Sequence, residues 1–454
     1  MSSDMNRRDF SQFALWTAAG AALKPVPAPA SASEQVRLGF LGVGNRGCQL
    51  LEAFLAQPDA RVVAVCDVYD PYLHAAYDRV DPRFLGLGKR IPRMPELPAE
   101  VARVRDFRRV LDRSDLDAVV IATPDHWHAI QTIQACQAGK DVYVEKPLSI
   151  TIAEGRAMVD AARRHNRVVQ VGTQRRSSAL FAGLAHAIDS GAIGKVTFAR
   201  AAYCSNMTPR GIGKAEPSAP PGDLDWDLWL GPRPLRPFQE NILPYKFRWW
   251  SLYSSQMANW GVHYFDLIRW LTGEVAPRSV ATLGGRFAVD DDRTIPDTAE
   301  ALFEHASGMI TSFLISEASG HPVLPDGAEV EIRGTLGTVL ANSNGYRIVP
   351  ERGGQFQDPT PRRKPEEVTA SPGDRAADLD RRHARAFLDC VKSRSRPVAD
   401  VEEGHRSTVF AHLANIALVT RARLDWDAQA ERFTNHDAAN ALRHYEYRPP
   451  WVLP

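Results

Sequence analysis

With 454 residues the chain exceeds what one ordinary core accommodates, and at about 150 residues per domain it points to two or three. Its 55 Lys and Arg stand against 54 Asp and Glu, a net charge of +1 that argues against nucleic acid or an anionic membrane surface as a partner. Five cysteines (Cys48, Cys66, Cys136, Cys204, Cys390), odd in number and without a Cys-x-x-Cys pair, point to neither a disulfide framework nor a cysteine zinc site.

The first predicted element is a leader. "NRRDFSQFALWTAAGAALKPVPAPASAS" (6–33) combines Arg7 and Arg8, an apolar run from Phe13 to Leu23, and the small residues Ala30-Ser31-Ala32, the three regions of a bacterial signal peptide. The paired arginines predict the twin-arginine route, which carries folded proteins, with cleavage near Ala32 and a periplasmic or otherwise exported destination. Residues 1–33 are therefore set aside as signal peptide and linker. The apolar run is about half of the ~20 residues that a membrane span needs, and no later stretch without charge reaches that length, so no span is expected.

From 34 to 175 short β-branched runs (36–42, 60–67, 116–123, 141–146, 167–173) alternate with amphipathic stretches such as 125–138 and 151–165. That alternation predicts a doubly wound parallel sheet, a Rossmann-type α/β domain. From 176 to 454 the grammar changes. Pro- and Trp-rich loops (206–250) lead to a helix near 260–272, strand-like runs (299–316, 328–342), a polar excursion (353–379) and two closing helices (381–393, 404–422). This half is expected to be an α+β domain with a large open, mostly antiparallel sheet.

The first strand runs into "GVGNRG", which sets Gly42, Gly44 and Gly47 at Gly-x-Gly-x-x-Gly spacing around Asn45 and Arg46. Gly42 permits the tight turn, Gly44 lets backbone approach a pyrophosphate, and Gly47 lets helix pack on strand. The helix N-terminus that follows favours an anion. The second strand ends at Asp67, where a carboxylate accepts hydrogen bonds from an adenosine ribose and repels a 2'-phosphate, so NAD is expected and NADP less so.

"ATPDHWH" (122–128), "VEKP" (144–147) and "NWGVHYFDLIRWL" (259–271), together with "GVGNRG", resemble the glucose-fructose oxidoreductase and inositol dehydrogenase family (Gfo/Idh/MocA). "QVGTQRRSS" (170–178) and "LDWDLWLGP" (224–232) bring the chain closest to the branch exported with a twin-arginine leader. The resemblance implies an NAD-dependent oxidoreductase acting on a sugar, glycoside or cyclitol hydroxyl, assembled as a homodimer or homotetramer through the open sheet. It places Thr123, Pro124, Asp125 and His128 in a cofactor-side loop, Glu145 and Lys146 beside the nicotinamide, and Lys146 beside the substrate hydroxyl.

The chemistry of these residues suits such a site. Pro147 biases Lys146 toward extended backbone at the carboxyl end of a strand, where doubly wound sheets bind ligands. Burial there would depress the ammonium pKa and help it orient oxygen. His263 matches the family's histidine and is the expected general base. If one helix includes both, Asn259 and His263 share a face. Asn259 stands where the family more often has Asp; an amide orients substrate but takes no proton. Asp266, one turn on, either fixes the His263 tautomer or sits in a structural contact.

Arg175 and Trp260 are expected substrate contacts; Arg176 is either another or solvated. Of the six tryptophans between 226 and 270, one or two are expected to touch ligand and the rest to be core. The "DHWH" cluster supplies no further ligand at diagnostic spacing, so no metal is expected. Two other functions stay open: redox-neutral cleavage of a glycoside through a keto-sugar, and non-catalytic sugar binding on a degenerate scaffold.

Overall fold

The computed structural model describes residues 35–84 and 93–454; the expected leader lies outside them. The first half forms a six-stranded parallel sheet of β1 (Val36–Leu41), β2 (Ala60–Cys66), β3 (Ala102–Val104), β4 (Ala118–Ile121), β5 (Asp141–Val144) and β6 (Val169–Val171), in the order β3-β2-β1-β4-β5-β6. The order reverses between β1 and β4, so a crevice opens beyond their carboxyl ends. β3 escaped the sequence reading because its three half-buried residues at the sheet edge make no apolar run.

The second sheet has 11 strands, almost all antiparallel. Its centre is β7 (Val196–Asn206), which pairs parallel with β10 (Ile310–Ser316) and antiparallel with β12 (Val330–Gly334). β7 was not anticipated: its sequence, VTFARAAYCSN, does not keep a strict alternation of apolar and polar residues. One face of the sheet packs on three helices, Ala179–Asp189, Gly261–Thr272 and Val401–Thr420. The other face carries exposed Leu283, Leu302 and Ile310.

The expected border at 175/176 is not a border in the core. A parallel sheet must be covered on both faces, and the later chain supplies much of that cover. Phe54 of the helix Asn45–Leu55 meets Phe40, Tyr143 and Phe387 at ring centroid distances of 5.9, 5.6 and 6.1 Å, and Phe387 comes from the distant helix Ala376–Ser393. Leu224, Trp229, Phe238, Phe247 and Trp250 of the 206–250 loops join the same cluster. Arg385 and Lys392 pair with Asp59, holding its carboxyl down at about 2 despite the opposing effect of burial.

The opposite face of the first sheet is closed by the chain's last residues. Thr151 caps the helix Ile152–Arg164 in a capping box with Glu154. Glu154 is fully buried: Oε2 accepts from the Ile150 and Thr151 amides (2.9 and 3.1 Å), and Oε1 from the Tyr445 and Tyr447 hydroxyls (3.0 and 2.6 Å). One carboxylate thus starts a helix and moors the tail. Glu154→Ala strands four donors, at a cost of about 3 kcal/mol or more. The expected result is a lower denaturant midpoint, with cleavage of the tail around Tyr445 in limited proteolysis.

Candidate active site

The crevice is built by the Gly-x-Gly-x-x-Gly turn. Gly42 sits at φ +88°, where a side chain is strained, and a Cβ on Gly47 would lie 2.0 Å from the Gly42 carbonyl. A Cβ on Gly44 meets nothing within 4 Å, so no packing inside the protein requires that glycine. It opens a cradle at the start of the helix Asn45–Leu55, whose first amides have no side-chain cap and no acid in the first turn. Asp67 lines the same cleft, its carboxylate accepting from the Val43 and Tyr69 amides at 2.9 and 3.0 Å. Burial pushes it up to about 6 against the pull of those amides. Gly cradle, free helix N-terminus and the half-buried acid together fit a dinucleotide.

Other expected cofactor residues serve behind that surface. Asn45, Thr123 and Pro124 line the cleft, and Thr123 Oγ1 donates to Gln131 at 2.7 Å. Arg46 lines it too, but its guanidinium is held by Glu145 at 2.8 Å and in two bonds by Asp380, tying the turn to the helix Ala376–Ser393. Asp125 is buried and accepts from Ser254 Oγ. His128 faces two carbonyls, Pro147 O at 2.7 Å and Thr123 O at 3.0 Å. Arg46, Glu145, Asp125 and His128 therefore shape the site through protein partners, not with side chains turned to a ligand. A carboxylate beside a donor, or an imidazole N–H beside a carbonyl, is satisfied without one.

The catalytic candidates meet where β5 ends. Lys146 donates from Nζ to the Asn259 backbone oxygen at 2.8 Å and to Asn259 Oδ1 at 3.0 Å. Burial, then the charge of Arg248, lowers its ammonium to about 8. His263 is half-buried, and its imidazole makes no hydrogen bond to another described residue. Burial foremost, then the charges of Lys146, Arg175 and Arg46, hold it well below the ordinary histidine range, so the ring is neutral. A neutral ring with free nitrogens beside an ammonium on neutral oxygens is suited to accept a proton from a hydroxyl that the ammonium orients.

Two sequence expectations about this segment change. Asn259 closes a short helix, Gln256–Asn259, and His263 lies in the first turn of the next, Gly261–Thr272; the break falls at Trp260. They belong to two helical segments, not one face. Asp266 serves Arg176 at 2.9 Å and Ser407 Oγ at 2.8 Å, fully buried, and gives nothing to His263. That settles Arg176 as an internal ion-pair residue.

Arg175 pairs with Glu329 at 2.6 Å and lies over the Tyr264 ring, leaving buried Nη1 without a partner. Trp260 stacks on Tyr203 at 4.3 Å. Trp226, Trp249 and Trp250 donate their indole N–H groups to internal acceptors, whereas Trp229 lines the cofactor cleft. Arg248 is a residue the sequence reading missed: it lines the cleft and acts on Lys146. It lies in a single 3-10 turn, Lys246–Trp249, too short for a periodicity to mark it.

Among the described residues no cluster of His, Cys, Asp or Glu is placed to hold a metal ion, all five cysteines are free, and no helix is long and apolar enough to cross a membrane.

Comparison with known proteins agrees with this geometry. The oxidoreductase family GFO_IDH_MocA, NAD-binding Rossmann fold, matches residues 36–173; the GFO/IDH/MocA C-terminal domain matches 234–340; the family's C-terminal alpha/beta domain matches 374–453. Curated relatives include a Glycosyl hydrolase family 109 protein of Saccharopolyspora erythraea, 33% identical over 179 residues (39% of this chain, 36% of that protein). An alpha-N-acetylgalactosaminidase of Shewanella oneidensis is 31% identical over 131 residues, 29% of this chain and 27% of that protein. The chain thus matches only about a third or less of these relatives' lengths.

Among solved structures, levoglucosan dehydrogenase in complex with NADH and levoglucosan aligns at TM-score 0.62 with 19% identity, covering 86% of this chain and 99% of that one. An aldose-aldose oxidoreductase from Caulobacter crescentus aligns at TM-score 0.61 with 16% identity over 86% and 99%. These likenesses show the fold. With three domain profiles of one family matching more than half of its residues, the chain belongs to the Gfo/Idh/MocA family of NAD-dependent oxidoreductases.

Proposed function

We propose that this enzyme oxidises a hydroxyl of a sugar, glycoside or cyclitol. The observation that carries the reading is the His263 imidazole, without a hydrogen bond to another described residue, in the field of the Lys146 ammonium that Asn259 holds at the carboxyl end of β5. NAD, when bound, supplies the hydride acceptor. The amides around Gly44, Asn45 and Arg46 would hold its phosphates and Asp67 its adenosine ribose. Lys146 orients the substrate oxygen, and His263 takes the hydroxyl proton. Asn259 holds Lys146 and takes no proton. The names of the levoglucosan dehydrogenase and aldose-aldose oxidoreductase support a carbohydrate substrate.

A second reading is favoured by the relatives named Glycosyl hydrolase family 109. In it the same proton and hydride transfers are followed by glycosidic cleavage and re-reduction, with no net change of the cofactor. Products decide between them: released sugar without accumulated NADH marks cleavage, and accumulated NADH marks net oxidation. The remaining reading, a sugar binder without catalysis, requires that Lys146→Ala leave sugar affinity intact with no turnover to lose.

We also read the leader as a twin-arginine signal and the exposed Leu283, Leu302 and Ile310 face as the place where a second copy docks. An enzyme exported folded carries its cofactor with it. The mature protein is then expected to retain near-stoichiometric NAD(H) through gel filtration, assayed by acid extraction; an empty protein that binds NAD weakly would remove this part of the reading.

In a screen of sugars and glycosides followed by absorbance of the reduced nicotinamide, His263→Ala is expected to lower kcat about 10²–10⁴-fold, with the NAD Kd nearly unchanged. Turnover is expected to fall as pH rises through about 8, where Lys146 loses its proton. The pH dependence of NAD binding has the opposite sign. The Asp67 carboxylate is the acceptor, so affinity in calorimetric titrations weakens as pH falls through about 6, by up to about tenfold per unit, and Asp67→Asn flattens the profile.

A further inference from the structure

The contact between Lys146 and Asn259 is one end of a longer buried chain. Asn259 Nδ2 donates to Gln256 Oε1 at 3.0 Å, and Gln256 Nε2 donates to Glu317 Oε1 at 2.7 Å. Glu317 follows β10 and is fully buried; its Oε2 accepts from Trp249 Nε1 at 2.8 Å and from Arg293 Nη1 at 2.6 Å. Arg293 is fully buried as well and donates from Nε to Asp291 at 2.9 Å. Nothing in the reaction uses Gln256, Glu317 or Arg293, yet the chain ends on the ammonium that orients substrate.

Each link dictates the orientation of the next. An ionised carboxylate only accepts, so Gln256 must turn its NH₂ toward Glu317 and its oxygen toward Asn259. Asn259 must then turn its own NH₂ to Gln256 and its oxygen to Lys146. Burial raises the Glu317 carboxyl, and Arg293, with Trp249 and Gln256, opposes that rise. Ser255 starts this turn by accepting from the Ala258 amide at 3.0 Å, and Asn415 donates to Ser255 at 2.9 Å, so the turn has little freedom to realign.

We propose that Gln256 and Glu317 are positioning residues that lock the Asn259 amide with its oxygen toward Lys146. The proposal deepens the functional reading above and rests on it only for what Lys146 does in turnover. It gives a physical account of an amide at position 259. A carboxylate at 259 would meet Gln256 Oε1, acceptor against acceptor; an amide satisfies both neighbours.

The chain can be inverted without changing its shape. In Glu317→Gln the oxygen must stay with Trp249 and Arg293, which leaves the new NH₂ facing Gln256. Gln256 then turns its oxygen to residue 317 and its NH₂ to Asn259, and Asn259 presents NH₂ to Lys146. The charged groups acting on Lys146, namely Arg248, Glu145, Asp125 and Arg46, and the neighbouring His263, are unchanged by this substitution.

The test is the pH dependence of Lys146 acetylation by limiting acetic anhydride in the purified full chain, read by peptide mass spectrometry. Relative to wild type, Glu317→Gln is expected to move the midpoint toward acid by about one pH unit, because a donor now faces the ammonium. Gln256→Met, which leaves Glu317 with Arg293 and Trp249, moves it the same way by less, and carries the test if Glu317→Gln does not fold. In an Asn259→Ala background neither change moves it further. Asn259→Asp is expected to lower the melting temperature, and adding Glu317→Gln to restore part of the loss, because Gln256 then donates to the carboxylate.

A wild-type midpoint in folded Glu317→Gln or Gln256→Met overturns the proposal, as do additive losses in the double variant. Labelling requires no substrate. A shifted midpoint in a protein that oxidises no sugar keeps the relay and removes the functional reading; an unshifted midpoint in an active enzyme does the reverse.

Discussion

An ammonium whose hydrogen bonds go to neutral oxygens and not to a carboxylate is the constraint around which this molecule is organised. Lys146 ends the fifth strand of one sheet, and the oxygens that receive its proton charge come from Asn259, on a turn belonging to the other half of the chain. Taking an ammonium out of water onto neutral acceptors is unfavourable unless the acceptors are fixed. The structure fixes them from both sides: Ser254 of the same turn bonds Asp125 in the first domain, while Gln256 and Asn415 hold it from the second. The two halves thus close on each other at Lys146.

That closure explains the distribution of charge. Most carboxylates near the cleft are already engaged, Glu145 by Arg46, Asp125 by Ser254, Glu329 by Arg175 and Asp266 by Arg176. The field left at His263 is positive, from Lys146, Arg175 and Arg46, and together with burial it keeps the imidazole neutral. Asp67 is the exception, a carboxylate in the cleft held only by amides, at the distal end where a ribose belongs.

Covering the parallel sheet has a related effect. Because the helix Ala376–Ser393 and the tail around Tyr445 and Tyr447 pack on the first domain, the cofactor half is finished by the last residues of the chain. The loops at 206–250 do the same over the cleft, which is why Trp229, Phe247 and Arg248 line a pocket that the Gly-rich turn begins. The aromatic residues concentrated there are mainly cover and core.

By itself the sequence determined the βαβ half, the glycine turn, the acid at the end of the second strand and the family motifs, since each depends on neighbours close in the chain. Short β-branched runs between amphipathic stretches exposed five of the six parallel strands, and missed the three-residue edge strand because it makes no apolar run. Only the tertiary structure decided which polar groups are satisfied by protein. Arg46 turns to Asp380, 334 residues away, and Asn259 is locked by Glu317, 58 positions on, which no local spacing records. It also decided that Asp266 belongs to Arg176 and that Asn259 and His263 lie on successive helical segments. A hydrogen bond depends on two atoms meeting at about 3 Å, and where distant segments meet is set by packing the whole core.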